Sequence, residues 1–406
     1  MSKPKMFEKP SGVRDYLPEA VTKLRYIERQ ALNCMSRWGY EQIVTPTMEF
    51  YDTVGMASST SDHKLFKLLN QRGTAMVLRS DMTAPIARVV SSLLYEESLP
   101  IRLSYHANVF RSMEEEAGRE AEFYQTGAEL VGDASPEADA EVIALSIACL
   151  QSTGIERFKV AIGHHGFLQG LFGYTLPDRE ADQQRLMQLL VARDVVGYRE
   201  LIRTLPIEQE QMERLEAVLQ LQGGRRIVEE ARALVDEPHA RLSLFHLERV
   251  WEVLEAYGVS DHLMLDLTLV GDFSYYTGTI FEGYSAELGF PVMSGGRYDN
   301  LLQQFGRPAP ATGFALKTTR MLDAIRVREL VAVQPSILVQ YDAARRVEAL
   351  AEATRLRTAG ERVVTRRVDD VSQLVEVHRL EDAVKLGNGP VFKDVITFVQ
   401  FVTEHG

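Results

Sequence analysis

The sequence predicts an α+β protein: an antiparallel sheet domain with flanking helices and a helical insertion, followed by a small C-terminal α/β domain. Three observations carry that expectation. Strand-like runs at 102–111, 122–132 and 262–286 lead into a strand and helix at 311–325, the order of an α+β sheet domain. Between about 167 and 256 the strand signal gives way to apolar-periodic runs rich in Leu, Gln, Glu and Arg. From 337 onward a strand, a helix and a strand follow, a β-α-β unit that argues a small α/β domain of about 75 residues. The expected domains are therefore 1–330, holding the insertion, and 331–406.

The elements follow in order. After Pro18, residues Leu24, Ile27, Ala31, Met35 and Trp38 recur at helical spacing, with proline suited to a first turn, and Gly39 breaks the helix. The segment EQIVTP offers a short β-branched strand, and 74–94 reads as strand, polar turn and helix. The strands 102–111 and 122–132 flank a charged stretch, which predicts an antiparallel hairpin with a long loop. Pro136 opens a helix to about Gln151, and a strand follows at 157–163. After the insertion, strand-like sequence runs from 262 to 286, passes through an expected turn at 294-SGGRYDN-300, and ends in the strand and helix at 311–325.

Composition narrows the function. The 406 residues are 45% hydrophobic and 25% charged, as in globular chains with their own cores. A net charge of −12 makes the surface as a whole repel phosphate backbones, so nucleic acid is not the default partner. No run of eighteen apolar residues and no secretory signal is visible, which points to the cytoplasm and away from membranes. Cys34 and Cys149 stand far apart in helix-like sequence and read as small core residues of a reducing compartment. His164 and His165 have no partner at metal-ligand spacing, and Gly163, Gly166 and Gly170 form no dinucleotide fingerprint.

Four segments place polar and aromatic groups inside strand-like sequence: 79-RSDMT-83, Arg111 with 125-QTGAE-129, 271-GDFSYYTGT-279 and 294-SGGRY-298. An unpaired buried polar group costs about 1–3 kcal/mol, so this pattern hints at a site. Asp81 and Glu129 could hold a cation, Arg111 could clamp a carboxylate or phosphate, and Thr83, Gln125 and Tyr276 could supply oriented hydrogen bonds. Together they fit an amino acid, although residues of turns or of a surface strand face would give the same pattern.

The same segments carry a resemblance to the histidyl-tRNA synthetases, class II enzymes, over roughly residues 7–325. The stretch 10-PSGVRDYLP-18 resembles the family's entry motif, 39-GYEQIVTPTMEF-50 its first class motif and 102-RLSYHANVFR-111 its second. Two histidine-specific motifs are matched by 269-LVGDFSYYTGTIFE-282 and 294-SGGRYDNLL-302, and the third class motif by 312-TGFALKTTRM-321 with Arg320. The resemblance implies a histidine pocket at Asp81, Thr83, Gln125, Glu129 and Tyr276. It places histidine's ammonium on Asp81, Thr83 and Gln125, its ring on Glu129 and Tyr276, and its carboxylate on Arg111.

The positions for activation chemistry depart from that family. Gly271 stands where the histidine-specific arginine belongs, Met113 where a glutamate reads adenine, and Ala121 where a second phosphate-binding arginine sits. Each lost charge-stabilising donor commonly costs about two to three powers of ten in rate. The intervening loop 112-SMEEEAGREAE-122 carries five carboxylates against one arginine, and residues 331–406 carry ten Lys or Arg against eleven Asp or Glu, neither suited to tRNA.

A synthetase-like chain of this kind resembles the regulatory subunits of ATP phosphoribosyltransferase. That resemblance implies a non-catalytic role beside a short-form catalytic subunit in the first step of histidine biosynthesis. It implies a hetero-octamer, a homodimer through the synthetase-like domain, and feedback inhibition by histidine, with no metal, cofactor, tRNA or membrane. The alternative is a divergent histidyl-tRNA synthetase.

Overall fold

The computed structural model describes residues 8–58, 60–112, 120–271, 275–325, 336–374, 384–385 and 391–400. The chain divides into two compact units, Met1–Arg326 and Val327–Gly406.

In the first unit, α1 (Pro18–Arg37) buries the predicted stripe of Leu24, Ile27, Ala31 and Met35. Gly39, at φ +82°, ends it in the left-handed conformation that glycine adopts without strain. The strand expected at EQIVTP shrinks to β1 (Glu41–Gln42), parallel to β5 (Ile101–Phe110). Strands β2 (Met48–Phe50), β3 (Lys67–Leu69) and β4 (Ala75–Leu78) form a separate sheet in the order β2-β4-β3. Met48, Phe50, Leu68 and Leu69 are exposed on these strands. Helix α2 (Thr83–Val90) follows β4 after the short polar turn.

The expected long hairpin forms from β5 and β6 (Glu122–Val131), paired from Ile101 opposite Val131 to Phe110 opposite Glu122. Helix α3 (Pro136–Ser152) opens as its sequence dictates, with Ser135 capping the Ala138 amide, proline at the first position and two acids in the first turn. Strand β7 (Phe158–His164) leads into the helical segment: α4 (His165–Thr175), α5 (Glu180–Val191), α6 (Val195–Thr204) and α7 (Gln209–Val218), then α8 (Ile227–Leu234) and α9 (Pro238–Ala256). One short strand, β8 (Gln222–Gly223), interrupts it and pairs with β9 (Leu263–Asp266). Strands β10 (Thr279–Ser285), β11 (Pro291–Arg297) and β12 (Ala311–Lys317), then α10 (Thr318–Ala324), complete the unit. The main sheet has nine strands in the order β1-β5-β6-β12-β11-β10-β7-β9-β8. Its centre is antiparallel, with parallel pairs at β1-β5 and β7-β9.

One expectation is corrected here. The segment 294–300 turns only at its end: residues up to Arg297 belong to β11, and the turn begins at Asp299. Its glycines answer to crowding: a Cβ on Gly295 would lie 2.4 Å from both the Gly313 carbonyl and the Phe281 ring, and one on Gly296 would lie 2.7 Å from the Thr279 carbonyl. Real side chains do not approach so closely, so glycine here marks backbones in contact rather than a reversal.

In the second unit, β13 (Ser336–Tyr341), α11 (Arg346–Thr358) and β14 (Val363–Arg367) form the β-α-β unit with parallel strands. Strands β15 (Val384–Lys385) and β16 (Val391–Phe398) extend the sheet to β14-β13-β16-β15. Ile337, Val339, Ala349 and Ala353 make its core.

The first unit is pinned by a buried charged node. Asp139 of α3 is fully buried and pairs with Arg297 of β11 at 2.9 Å, while Thr279 of β10 donates to it at 2.8 Å and His246 of α9 lies 2.8 Å away. Burial by itself would raise the carboxyl's pKa, but the hydrogen bond to His246 and the charge of Arg297 outweigh it and hold the group at about 2. Replacing Asp139 by Ala removes the fully buried partner of Arg297, which keeps only the more exposed Asp299 as a charged partner, with an expected loss of about 3–5 kcal/mol in urea unfolding. Because the folded pKa is depressed, the contribution is complete above the ordinary carboxylate value and is lost as pH falls through about 2. The stability gap between wild type and Asp139→Asn should therefore narrow in acid, measured by thermal melts between pH 5 and 2.

Candidate functional site

The site lies on the central strands, where glycines leave room for polar side chains. Glu129 of β6 stands directly across from Gly313 of β12. A Cβ on Gly313 would lie 1.7 Å from the Glu129 Oε2, so only glycine lets the carboxylate rest against the neighbouring strand. Gly127 plays the same part for Tyr105, whose hydroxyl would be 2.5 Å from a Cβ there. These positions help shape a pocket lined by Asp81, Thr83, Gln125, Glu129 and Tyr276, together with Tyr105 and Tyr298.

Five of the six residues singled out in the sequence thus meet at one cavity. Thr83, in the first turn of α2, donates to Glu129 Oε1 at 2.8 Å. Asp81, just before α2, accepts from the Ala84 amide at 3.0 Å and from the Ser58 hydroxyl at 2.7 Å, which fixes its orientation. Arg111 is different. It stands just beyond the end of β5, donates from Nε to the Ser80 carbonyl at 3.0 Å and lies against the Phe123 ring. It is a near neighbour of Asp81 through Ser80, but it is not among the residues lining the cavity.

Tyr298 is the residue sequence reasoning passed over. Its hydroxyl donates to Glu129 Oε2, and it is buried. The signal was present in the alternation of β11: Ser294, Gly296 and Tyr298 occupy every second position and all line the cavity. Reading 294–300 as a turn hid that alternation. Glu129 is nearly fully enclosed, and burial pushes its pKa up to about 8, against the opposing hydrogen bonds from Tyr298 and Thr83. At neutral pH the cavity therefore holds a largely neutral Glu129 ready to ionise when a cation arrives.

Two of the positions that the resemblance links to activation, Gly271 and Ala121, are crowded by their neighbours. A Cβ on Gly271 would lie 2.4 Å from the Tyr276 ring, so the ring occupies the space an arginine side chain would need. Gly271 also lines a small second pocket, which shares Tyr276 and Ser294 with the first. Ala121 is buried against Gly12: its amide donates to the Gly12 carbonyl at 2.7 Å, and a Cβ on Gly12 would lie 2.8 Å from the Ala121 Cβ. Arg320 of α10 donates to the Pro291 carbonyl at 3.3 Å, with its guanidinium over the Phe290 ring. Met113 lies outside the described residues. Among the described residues no group of three or more His, Cys, Asp or Glu could hold a metal ion, and no helix is long and apolar enough to cross a membrane.

Comparison with known proteins decides the family. Residues 12–321 match the family model described as histidyl-tRNA synthetase. The chain is 44% identical over 374 residues to an ATP phosphoribosyltransferase regulatory subunit of Halalkalibacterium halodurans, covering 92% of this chain and 94% of the relative. It is 45% identical to a protein of the same name in Geobacillus thermodenitrificans, over 91% of this chain and 93% of that one. The chain belongs to the family of ATP phosphoribosyltransferase regulatory subunits, within the wider histidyl-tRNA synthetase family.

A crystal structure from Bacillus halodurans, described as an ATP phosphoribosyltransferase regulatory subunit/histidyl-tRNA synthetase, superposes with a TM-score of 0.86 at 42% identity, covering 98% of this chain and all of that one. A histidyl-tRNA synthetase of Nostoc shares the fold at a TM-score of 0.74 and 21% identity, covering 90% of this chain and 88% of that one. The class II synthetase-like α+β fold is thereby established for this member of the regulatory family.

The raised pKa of Glu129 has a measurable sign. Between the ordinary value of 4.5 and about 8 the folded state retains a proton that the unfolded state releases, so Glu129 loses stabilising effect as pH rises through that window. Relative to Glu129→Gln, the ligand-free wild type should lose up to about 1.4 kcal/mol per pH unit there, measured by urea unfolding at pH 5, 6.5 and 8.

Proposed function

We propose that this chain is the non-catalytic regulatory subunit of an ATP phosphoribosyltransferase and binds free histidine in the cavity around Glu129. Its partner in this reading is a short-form catalytic subunit that joins ATP to phosphoribosyl pyrophosphate at the start of histidine biosynthesis. The observation that carries the reading is the combination of a carboxylate-lined cavity with a Tyr276 ring filling the place beside Gly271. An amino acid can be held there, but no guanidinium at 271 is available to neutralise a carboxylate attacking a phosphate.

Histidine's ammonium is assigned to Asp81, Thr83 and Gln125, and its ring to Glu129 and Tyr276, with Tyr298 holding Glu129 in place. Its carboxylate is assigned to Arg111, which would exchange its contact with the Ser80 carbonyl for the ligand. Charge balance favours this set. A cationic ligand compensates the desolvation that keeps Glu129 protonated, so the ionised carboxylate returns when histidine binds.

Three experiments test the reading. Glu129→Ala should weaken histidine inhibition of the reconstituted enzyme by about tenfold or more, since one charge-assisted hydrogen bond is worth about 1.5–3 kcal/mol. The comparison counts when the variant still activates its partner without histidine, and an unchanged inhibition constant moves the regulatory site elsewhere. The isolated chain should show no histidine-dependent ATP–pyrophosphate exchange and should not charge tRNA; exchange above a no-enzyme control would instead support a divergent synthetase.

The third experiment concerns assembly. The uncovered Phe50 and Leu69 of the three-stranded sheet are the apolar surface we assign to a twofold contact between copies, within a hetero-octamer of four regulatory and four catalytic chains. Light scattering should give a dimer for the chain alone and a monomer for Phe50→Glu combined with Leu69→Glu. A stable wild-type monomer at micromolar concentration would contradict the assignment.

A further inference from the structure

Asp81 is 4% exposed, and among the described residues no Lys, Arg or His forms an ion pair with it. Its two oxygens are held from different directions. Oδ1 accepts from the Ala84 amide at 3.0 Å, in the first turn of α2, while Oδ2 accepts from the Ser58 hydroxyl at 2.7 Å. Ser80 Oγ, next to Asp81 in the chain, stays 3.4 Å from that second oxygen. The short contact to Oδ2 therefore comes from Ser58, which does not line the pocket itself.

Proton counting fixes the direction of these contacts. A carboxylate can only accept, so the single Ser58 hydroxyl proton points at Asp81. The Ser58 oxygen keeps its lone pairs for the Thr60 amide at 3.2 Å and the Ser80 hydroxyl at 2.7 Å. With both of these donating to it, Ser58 has no other acceptor to turn toward. The backbone beneath is equally constrained. The Ser58 amide donates to the carbonyl of buried Val54 at 2.9 Å. Val54 belongs to a π-helical turn (Tyr51–Gly55) directly after β2, and a Cβ on Gly55 would lie 3.3 Å from Val77 of β4, so the turn sits tightly on the small sheet.

We propose that Ser58 is a positioning residue for ligand binding, whose hydroxyl holds Asp81 so that the carboxylate presents its remaining lone pairs to the ammonium group of the bound amino acid. The inference rests on the reading of the pocket as a histidine site. Its physical basis is preorganisation: a carboxylate left free to rotate must be immobilised by the arriving ligand, at a cost in affinity. Ser58 immobilises it beforehand, and its hydroxyl replaces part of the water that burial takes from Asp81. An aliphatic residue at 58 would leave Oδ2 only the longer Ser80 contact.

Calorimetric titration of the full-length chain tests this with histidine and with imidazolepropionate, which keeps the ring and carboxylate but lacks the ammonium. Ser58→Ala should weaken histidine binding by about five- to tenfold, as expected for losing one hydrogen bond to a charged group, and should change imidazolepropionate binding by less than about twofold. Ser58→Thr, which keeps the hydroxyl, should return histidine affinity to the wild-type range. Ser80→Ala removes only the donor behind Ser58; it should cost about threefold and carries the test if Ser58→Ala does not fold. Unchanged histidine binding in these alanine variants, a Ser58→Thr variant no better than Ser58→Ala, or equal weakening of both ligands would each overturn the inference alone. A wild-type chain that binds no histidine would overturn the reading of the pocket and the inference with it.

Discussion

The synthetase-like unit depends on a single buried charge. Asp139 has no solvent to stabilise it, so its partners must stay where they are, and they come from three elements other than its own helix: α9, β10 and β11. An uncompensated carboxylate in that position would cost several kcal/mol, which makes the node intolerant of relative movement between the helical segment and the sheet. His164, packed edge-on against His246, belongs to the same region. Burial, with the nearby charge of His246, lowers its pKa to about 3, so it stays neutral and adds no further charge to be neutralised.

From that node the geometry of the cavity around Glu129 follows along one strand. Arg297 is fixed by Asp139, and successive residues of a strand point to opposite faces. Tyr298 is therefore directed away from the node and toward Glu129, which it meets with its hydroxyl. The cavity is shaped as much by missing atoms as by functional groups. Gly127, Gly296 and Gly313 leave the volume into which Tyr105, Tyr276 and Glu129 project. A polar pocket on a central sheet requires this combination of large polar side chains and bare backbone, because close-packed interiors offer no other space.

Much of this was legible in the sequence. The helix from Pro18, the long hairpin of β5 and β6, the helical run after β7 and the β-α-β unit near the C-terminus each follow from a local period or a local terminator. Asp81, Thr83, Gln125, Glu129 and Tyr276 could be singled out because polar residues in strand-like sequence demand partners. What could not be read were relations between distant segments. Glycines serving close approach look like glycines serving turns, which is why 294–300 was read as a reversal. The Asp139–Arg297 pair joins residues with no sequence relation, and the contact of Cys149 with the Ala31 carbonyl exists only once α1 lies on α3. Arg111 shows a third kind of gap, since residue type indicates what a guanidinium can bind but not that its Nε is engaged by the Ser80 carbonyl.

The Tyr276 ring packed over Gly271 carries an evolutionary consequence. Had the glycine simply left a hole, one mutation could refill it at little cost. Instead the space is taken by a residue that also walls the cavity around Glu129, so any larger residue at 271 must first dislodge a group that helps define that cavity. Ala121 is hemmed in by Gly12 in a similar way. Each substitution at these two positions would disturb its surroundings before it could add a new group. The fold behaves as a ratchet, in which the small residues are held in place by neighbours that have closed over them.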